Sequence, residues 1–109
     1  MTWGLPGGVP EASVHDLASD ADPNKLVIDV REPMETMYGS VEGAWLVPLG
    51  QLEGVLDEID DDANVYLICR SGNRSGIAAE VLLAAGKHDA KNVVGGMIAW
   101  AQAGLPIER

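Results

Sequence analysis

The amino-acid sequence predicts an α/β fold with a mostly parallel central sheet flanked by helices on both faces. Apolar runs of three to five residues, typical of strands buried on both faces, alternate with segments of helical spacing. The length of 109 residues is that of one domain. Because alternating strands and helices imply right-handed crossovers, we expect parallel strands with helices covering the sheet.

The first half of the chain supplies the first of these elements. Residues 1–9 are rich in Gly and Pro, which predicts an irregular lead-in to a single domain over residues 10–109. Apolar spacing predicts a helix over 11–18, and the run at 26–30 predicts a buried strand. A short helix over 33–39 follows, since it opens on a proline, which a first helical turn tolerates.

The second half continues the alternation. Three further strands are predicted, over residues 44–47, 65–68 and 92–94. Helices are predicted over residues 51–59, 75–85 and 97–103. The helix over 75–85 has the clearest apolar face, and Gly86 provides its C-terminal cap. We expect five of its residues to point inward: Ile77, Ala78, Val81, Leu82 and Ala85.

Charge and composition exclude several classes of function. Seven Lys and Arg residues face seventeen Asp and Glu residues, for a formal net charge of −10. Since nucleic acids and anionic membranes are bound through basic residues, neither is an expected partner. No apolar run approaches the ~18–20 residues needed to span a bilayer, and residues 1–6 lack the features of a secretory signal. We therefore expect a cytoplasmic protein.

The chain contains one cysteine, Cys69. Neither an intrachain disulfide nor a cysteine-based zinc site can form from a single thiol. The two histidines, His15 and His88, are far apart in the sequence and have no ligand-like neighbours. We expect a monomer with no metal and no cofactor.

Candidate functional residues lie where two strands end. Asp29 and Arg31 come at the end of the first predicted strand, and Cys69 follows the strand over 65–68. In open α/β sheets, ligands bind beyond the carboxyl ends of the strands. The sequence therefore places its candidate site at this edge of the sheet.

The loop after Cys69 has the composition of an anion-binding nest. Four of its residues are small or turn-forming, which lets several backbone N–H groups point inward: Ser71, Gly72, Asn73 and Ser75. Arg70 and Arg74 add two positive charges. In such a setting the pKa of a thiol can fall from ~8.5 into the range of ~3.5–7.5, which leaves a nucleophilic thiolate. The alternative is that Cys69 is only a small buried apolar residue, the commonest role of a free cysteine.

Two further segments flank this loop in the sequence. Val27 to Pro33 reads Val-Ile-Asp-Val-Arg-Glu-Pro, and Gly95 to Trp100 reads Gly-Gly-Met-Ile-Ala-Trp. Together with Cys69 to Ser75, they resemble the strand, active-site loop and C-terminal signatures of single-domain rhodanese-like sulfurtransferases. The resemblance covers about residues 10–108. It implies a rhodanese-like three-layer α/β domain.

The resemblance implies a mechanism as well. Cys69 would attack the outer sulfur of a small anionic donor such as thiosulfate and become a persulfide. The amides of the segment from Arg70 to Ser75 would hold the persulfide, and Arg70 and Arg74 would seat the oxyanion of the donor. A thiol, cyanide or another protein would then accept the sulfur.

Asp29 and Arg31 are two residues apart and therefore share one face of their strand. They either support the active-site loop or form a purely structural ion pair, and both interpretations stay open. Met34 and Met37 lie three apart on the short helix. We expect them to pack beneath it, with the mouth of the site as the alternative position.

The sequence also departs from the family pattern. Gly39 to Ala44 reads Gly-Ser-Val-Glu-Gly-Ala, where the family usually shows Gly-His-Ile-Pro-Gly-Ala. This difference puts the acceptor preference in doubt. Two alternative functions remain: a non-catalytic binding or regulatory module, and a phosphatase or arsenate reductase. The second resembles this loop but has five residues between Cys and Arg, whereas four separate Cys69 from Arg74.

Overall fold

Five parallel strands form the centre of the protein in the computed structural model, which describes residues 8–109. Their order across the sheet is β1-β5-β4-β2-β3. The strands are β1 (Glu11–Ala12), β2 (Lys25–Asp29), β3 (Trp45–Leu46), β4 (Asn64–Ile68) and β5 (Ala90–Val93). The helices are α1 (Val14–Ser19), α2 (Pro33–Thr36), α3 (Asn73–Ala84) and α4 (Gly96–Gln102), with a 3-10 helix at Leu49–Glu58. Most of the lead-in predicted for residues 1–9 lies outside the described residues.

Side chains on the two faces of the sheet alternate along β4, the central strand. Val65 and Leu67 pack with α3 and the 3-10 helix, and Tyr66 and Ile68 pack with α1 and α4. Cys69 lies two residues after Leu67 and joins the cluster beneath α3. The predicted α/β class, with helices on both faces of a parallel sheet, is thereby confirmed. None of the helices in the described part of the chain has the length and apolar character needed to cross a bilayer.

The prediction of a helix over 11–18 is wrong in its first three residues. Glu11 and Ala12 instead form β1, which pairs with β5 at Asn92 and Val93. The helix begins after Ser13, whose hydroxyl accepts the N–H of Asp16 at 3.0 Å in a capping box. The partner of β1 lies some eighty residues further along the chain, and such a pairing leaves no local sequence pattern. The apolar spacing of the segment therefore predicted a helix that begins too early.

Three smaller expectations are also corrected. The segment predicted as a helix over 51–59 is a 3-10 helix, in which i→i+3 hydrogen bonds replace those of an α-helix. Ile77 and Ala85 are exposed rather than inward-facing, while Ser75 and Ala79 are buried. Met34 and Met37 do not pack beneath α2: they are 78% and 67% exposed, and α2 has no buried residue.

The start of α4 holds the end of β4 in place. The N–H groups of Met97 and Ile98 donate to the carbonyls of Cys69 and Arg70, at 2.8 and 3.1 Å. Gly96 allows this close approach because its φ is +54° and a Cβ there would collide with both carbonyl oxygens. The candidate site therefore rests on a backbone contact between β4 and α4.

We predict that Gly96→Ala destabilises the protein far more than Gly104→Ala. Gly104 also has a positive φ, of +71°, but a Cβ there would meet no other atom within 4 Å. Gly104→Ala measures backbone strain alone, about 1–2 kcal/mol, whereas Gly96→Ala adds a backbone clash for a total of about 3 kcal/mol or more. Urea denaturation gives both free energies of unfolding, and equal losses would show that the close approach at Gly96 is unimportant.

Candidate active site

Parallel pairing brings the ends of β2 and β4 to the same edge of the sheet. Asp29 lies opposite Ile68, and the N–H of Val30 donates to the Ile68 carbonyl at 3.0 Å. Cys69 follows directly, and α3 begins only four residues later at Asn73. The short connection turns the chain so that the first turn of α3 faces the sulfur.

Hydrogen-bond donors surround the Cys69 sulfur. The N–H of Gly72 donates to Sγ at 3.1 Å, and the Ser75 hydroxyl lies 3.2 Å from it. The cysteine is almost fully buried, with 1% of its surface exposed, and Ser75 is wholly buried. The sulfur thus lies inside a turn that closes on it from the side of α3.

These donors decide the pKa of the Cys69 thiol. Burial acts to raise it, but the Ser75 hydroxyl and the backbone N–H groups of Ser75, Gly72 and Ser71 together lower it below its ordinary value. The sequence predicted a lowered pKa but attributed part of it to the two arginines. In the structure, neutral donors of the loop are the principal cause.

Arg74 does not contribute a free positive charge. Its guanidinium forms a two-point ion pair with Glu35 of α2, with N–O distances of 2.6 and 2.8 Å. The hydrogen bonds from Arg74 lower the pKa of the Glu35 carboxyl to about 2, so that the pair is ionised at neutral pH. The sequence placed two positive charges in the loop, and in the structure the charge of Arg74 is neutralised by Glu35.

Arg70 is placed differently. It is exposed, and within residues 8–109 its guanidinium has no carboxylate partner. It borders an open cleft of about 400 Å³ beside the loop. The other residues lining this cleft are Arg31, Glu35, Tyr38, Met97, Ile98 and Ala101.

Asp29 and Arg31 form a buried ion pair with N–O distances of 2.8–3.1 Å. Arg31 also donates to the Gly39 carbonyl at 2.7 Å, and the Ser40 hydroxyl donates to Asp29 at 2.6 Å. All of these contacts lead to the chain after α2, and none reaches the loop from Cys69 to Ser75. Of the two interpretations left open by the sequence, the geometry favours the structural ion pair.

Sequence reasoning missed two residues that the fold brings to the site. Glu35 is 39 positions from Arg74 along the chain, and no local pattern links them. Asn92 on β5 accepts the Ser75 hydroxyl at 2.6 Å and donates to the Gly72 carbonyl at 3.0 Å. A polar residue in a strand of an interior sheet is the one signal that could have indicated Asn92.

No metal centre is built into this region. Among residues 8–109, no three side chains of His, Cys, Asp or Glu are grouped so that they could hold a metal ion.

Comparison with known proteins identifies the family. Residues 12–103 match the rhodanese-like domain family. A sulfurtransferase of Allochromatium vinosum is 39% identical over 82 residues, which are 75% of this chain and 77% of that protein. The crystal structure of a rhodanese-related protein from Thermoplasma volcanium is similar with a TM-score of 0.83 at 30% identity, covering 91% of this chain and 97% of that one. The chain belongs to the rhodanese-like domain family.

Several relatives are longer than the part that matches. The uncharacterised protein YqhL of Bacillus subtilis is 43% identical over 74 residues, which are 68% of this chain and 59% of that protein. Two others, from Bacillus subtilis and Synechocystis, are covered over 51% and 45% of their lengths. The chain thus spans about half the length of these relatives. The family resemblance inferred from the three sequence segments is confirmed.

We predict that Glu35→Gln lowers the pKa of Cys69. The substitution removes a negative charge and leaves the Arg74 guanidinium unneutralised near the sulfur, which favours the thiolate by on the order of half a pKa unit. The rate of alkylation by iodoacetamide as a function of pH gives the value. Glu53→Gln, an exposed site in the 3-10 helix, serves as the matched control. An unchanged pKa in both variants would mean that the Arg74–Glu35 pair does not act on the sulfur.

Proposed function

We propose that this protein is a sulfurtransferase that carries sulfur as a persulfide on Cys69. The observation that supports this best is the position of the sulfur, buried against the first turn of α3 with the Gly72 N–H at 3.1 Å and the Ser75 hydroxyl at 3.2 Å. Such donors stabilise an anion on sulfur. The name of the Allochromatium vinosum relative agrees with this activity.

The reaction with thiosulfate proceeds by displacement at sulfur. The Cys69 thiolate attacks the outer sulfur, a new S–S bond forms, and the electron pair of the broken bond leaves with sulfite. The persulfide retains one negative charge. In the second step a thiolate or cyanide attacks the outer sulfur, and the electron pair of the S–S bond returns to Cys69. Because the chain has no second cysteine, the acceptor must be external.

The arginines have unequal roles in this proposal. Arg70 is exposed at the cleft and would seat the oxyanion of the donor. Arg74 is already neutralised by Glu35 and would act chiefly by fixing the loop to α2. In a protein with a net charge of −10, a local cation at the entrance offsets the long-range repulsion of an anionic donor.

The geometry disfavours a phosphatase. A tetrahedral phosphate needs a wide cradle of donors around it, whereas four residues separate Cys69 from Arg74 and the guanidinium is bound to Glu35. Only 1% of the surface of the nucleophile, Cys69, is exposed. A single terminal sulfur atom fits such a site more readily than an aryl phosphate.

The test is sulfur loading. After incubation with thiosulfate, we expect the intact mass of the protein to increase by one sulfur atom, and the increase to disappear after treatment with cyanide or a thiol. Cys69→Ser, which conserves the size of the side chain, should show no increase. Hydrolysis of an aryl phosphate by the wild type but not by this variant would support the phosphatase instead, and no loading from any simple donor would favour a binding module.

The same assay measures the role of Arg70. We expect Arg70→Ala to raise the thiosulfate concentration needed for half-maximal loading by about 10-fold or more. This is the loss of affinity that follows from removing one hydrogen bond to a charged group. Arg70→Lys should lose less because it keeps the charge, and Arg109→Ala, at an exposed position outside the cleft, should lose nothing. Equal behaviour of all three variants would exclude Arg70 as the donor seat.

A further inference from the structure

The Ser75 hydroxyl lies between two hydrogen-bond acceptors. Its oxygen is 2.6 Å from Asn92 Oδ1 and 3.2 Å from the Cys69 sulfur. A hydroxyl carries one hydrogen and can donate it to one of these atoms at full strength. Ser75 is wholly buried, so its hydroxyl is held between these two acceptors and is not turned to solvent. The two acceptors therefore compete for the same hydrogen.

Asn92 is held firmly in the orientation that this competition requires. Its Nδ2 donates to the Gly72 carbonyl at 3.0 Å, which fixes Oδ1 on the side of Ser75. Its backbone N–H donates to the Pro10 carbonyl at 2.9 Å, and β5 is paired on both sides. The reversed amide would set its oxygen against the Gly72 carbonyl oxygen, an unfavourable contact.

We propose that Asn92 is a positioning residue for sulfur transfer, whose Oδ1 alternates with the Cys69 sulfur as acceptor of the Ser75 hydrogen. In the thiolate state, the charge on sulfur draws the hydrogen away from Asn92. In the persulfide state, which rests on the proposed function, the charge lies on the outer sulfur, about 2 Å further away. The hydrogen then returns to Asn92, because the inner sulfur is neutral and a weak acceptor.

This arrangement has a definite consequence for the sulfur. Forming the thiolate costs the Ser75–Asn92 hydrogen bond, so the asparagine disfavours the thiolate relative to both the neutral thiol and the persulfide. The asparagine therefore makes the loading of sulfur more favourable at equilibrium. A residue that only supported the fold would affect the sulfur in the same way whether or not Ser75 were present.

Ser75→Ala and Asn92→Ala leave the charged groups around Cys69 unchanged. The loop and α3 contribute Arg70 and Arg74, and α2 contributes Glu35. The end of β2 contributes the Asp29–Arg31 pair. Strand β5 contributes none on this face, because Lys91 points to the opposite side and binds Asn64 and Asp89, and α4 carries no charged residue.

The test is a double-mutant cycle of Ser75→Ala and Asn92→Ala, read out as the pKa of Cys69 from alkylation rates. Loss of the contact between Asn92 and the Gly72 carbonyl affects both backgrounds equally and cancels in the cycle. We expect Asn92→Ala to lower the pKa of Cys69 when Ser75 is present. Relative to the effect of Asn92→Ala in the Ser75→Ala background, this lowering should be on the order of one pKa unit. Equal shifts in the two backgrounds would overturn the proposal.

Asn92→Asp provides a second variant that keeps an acceptor beside Ser75. A carboxylate competes for the hydrogen more strongly than an amide, so the coupling with Ser75 should have the opposite sign, with the pKa raised more when Ser75 is present. Circular dichroism and Tm establish that each variant is folded. Couplings of the same sign for both substitutions would contradict the proposal that Asn92 and Cys69 compete for the Ser75 hydrogen.

The alkylation measurement needs no sulfur donor, so it is independent of the proposed function. If the pKa shifts are coupled but the protein takes up no sulfur, the competition for the Ser75 hydrogen is supported and the sulfurtransferase function is rejected. If the protein takes up sulfur but the pKa shifts are not coupled, the sulfurtransferase function is supported and the competition is rejected. Where both hold, Asn92→Ala should reduce the loaded fraction at a fixed ratio of thiosulfate to sulfite, and this reduction should vanish in the Ser75→Ala background.

Discussion

The structure depends on one backbone contact, between the end of β4 and the start of α4. The carbonyls of Cys69 and Arg70 accept the N–H groups of Met97 and Ile98, and the chain turns into α3 within four residues. This turn places the first N–H groups of α3 around a sulfur that comes from the central strand. Fold and site are therefore held by the same contact, and Gly96 is the residue that permits it.

Neutral donors, rather than net charge, dominate the environment of the sulfur. The Ser75 hydroxyl and three backbone N–H groups overcome the effect of burial on the pKa of Cys69, while Glu35 neutralises Arg74. The arrangement suits the proposed reaction, in which a single negative charge would move by about one bond length from Cys69 to an outer sulfur. Donors preorganised in a buried turn need little rearrangement as that charge moves.

The sequence was informative wherever a structural feature is local. The alternation of strands and helices predicted the sheet, and the composition of the loop after Cys69 predicted a turn whose N–H groups point inward. Partners far apart along the chain left no pattern: Glu35 with Arg74, Asn92 with Ser75, and β1 with β5. The inward face of α3 was misjudged for a related reason, because Ser75 turns toward the sulfur and Asn92 while Ile77 remains exposed. Tertiary contacts, not apolar spacing, decide these positions.

The account depends above all on Cys69 ionising more readily than an ordinary cysteine. The most direct measurement is the rate of alkylation of Cys69 in the wild-type protein as a function of pH, which needs no correction for other thiols because the chain has only one. The account predicts a midpoint below ~8.5, the usual pKa of a cysteine thiol. A midpoint at or above that value would show that burial outweighs the donors of the turn, and would contradict the account.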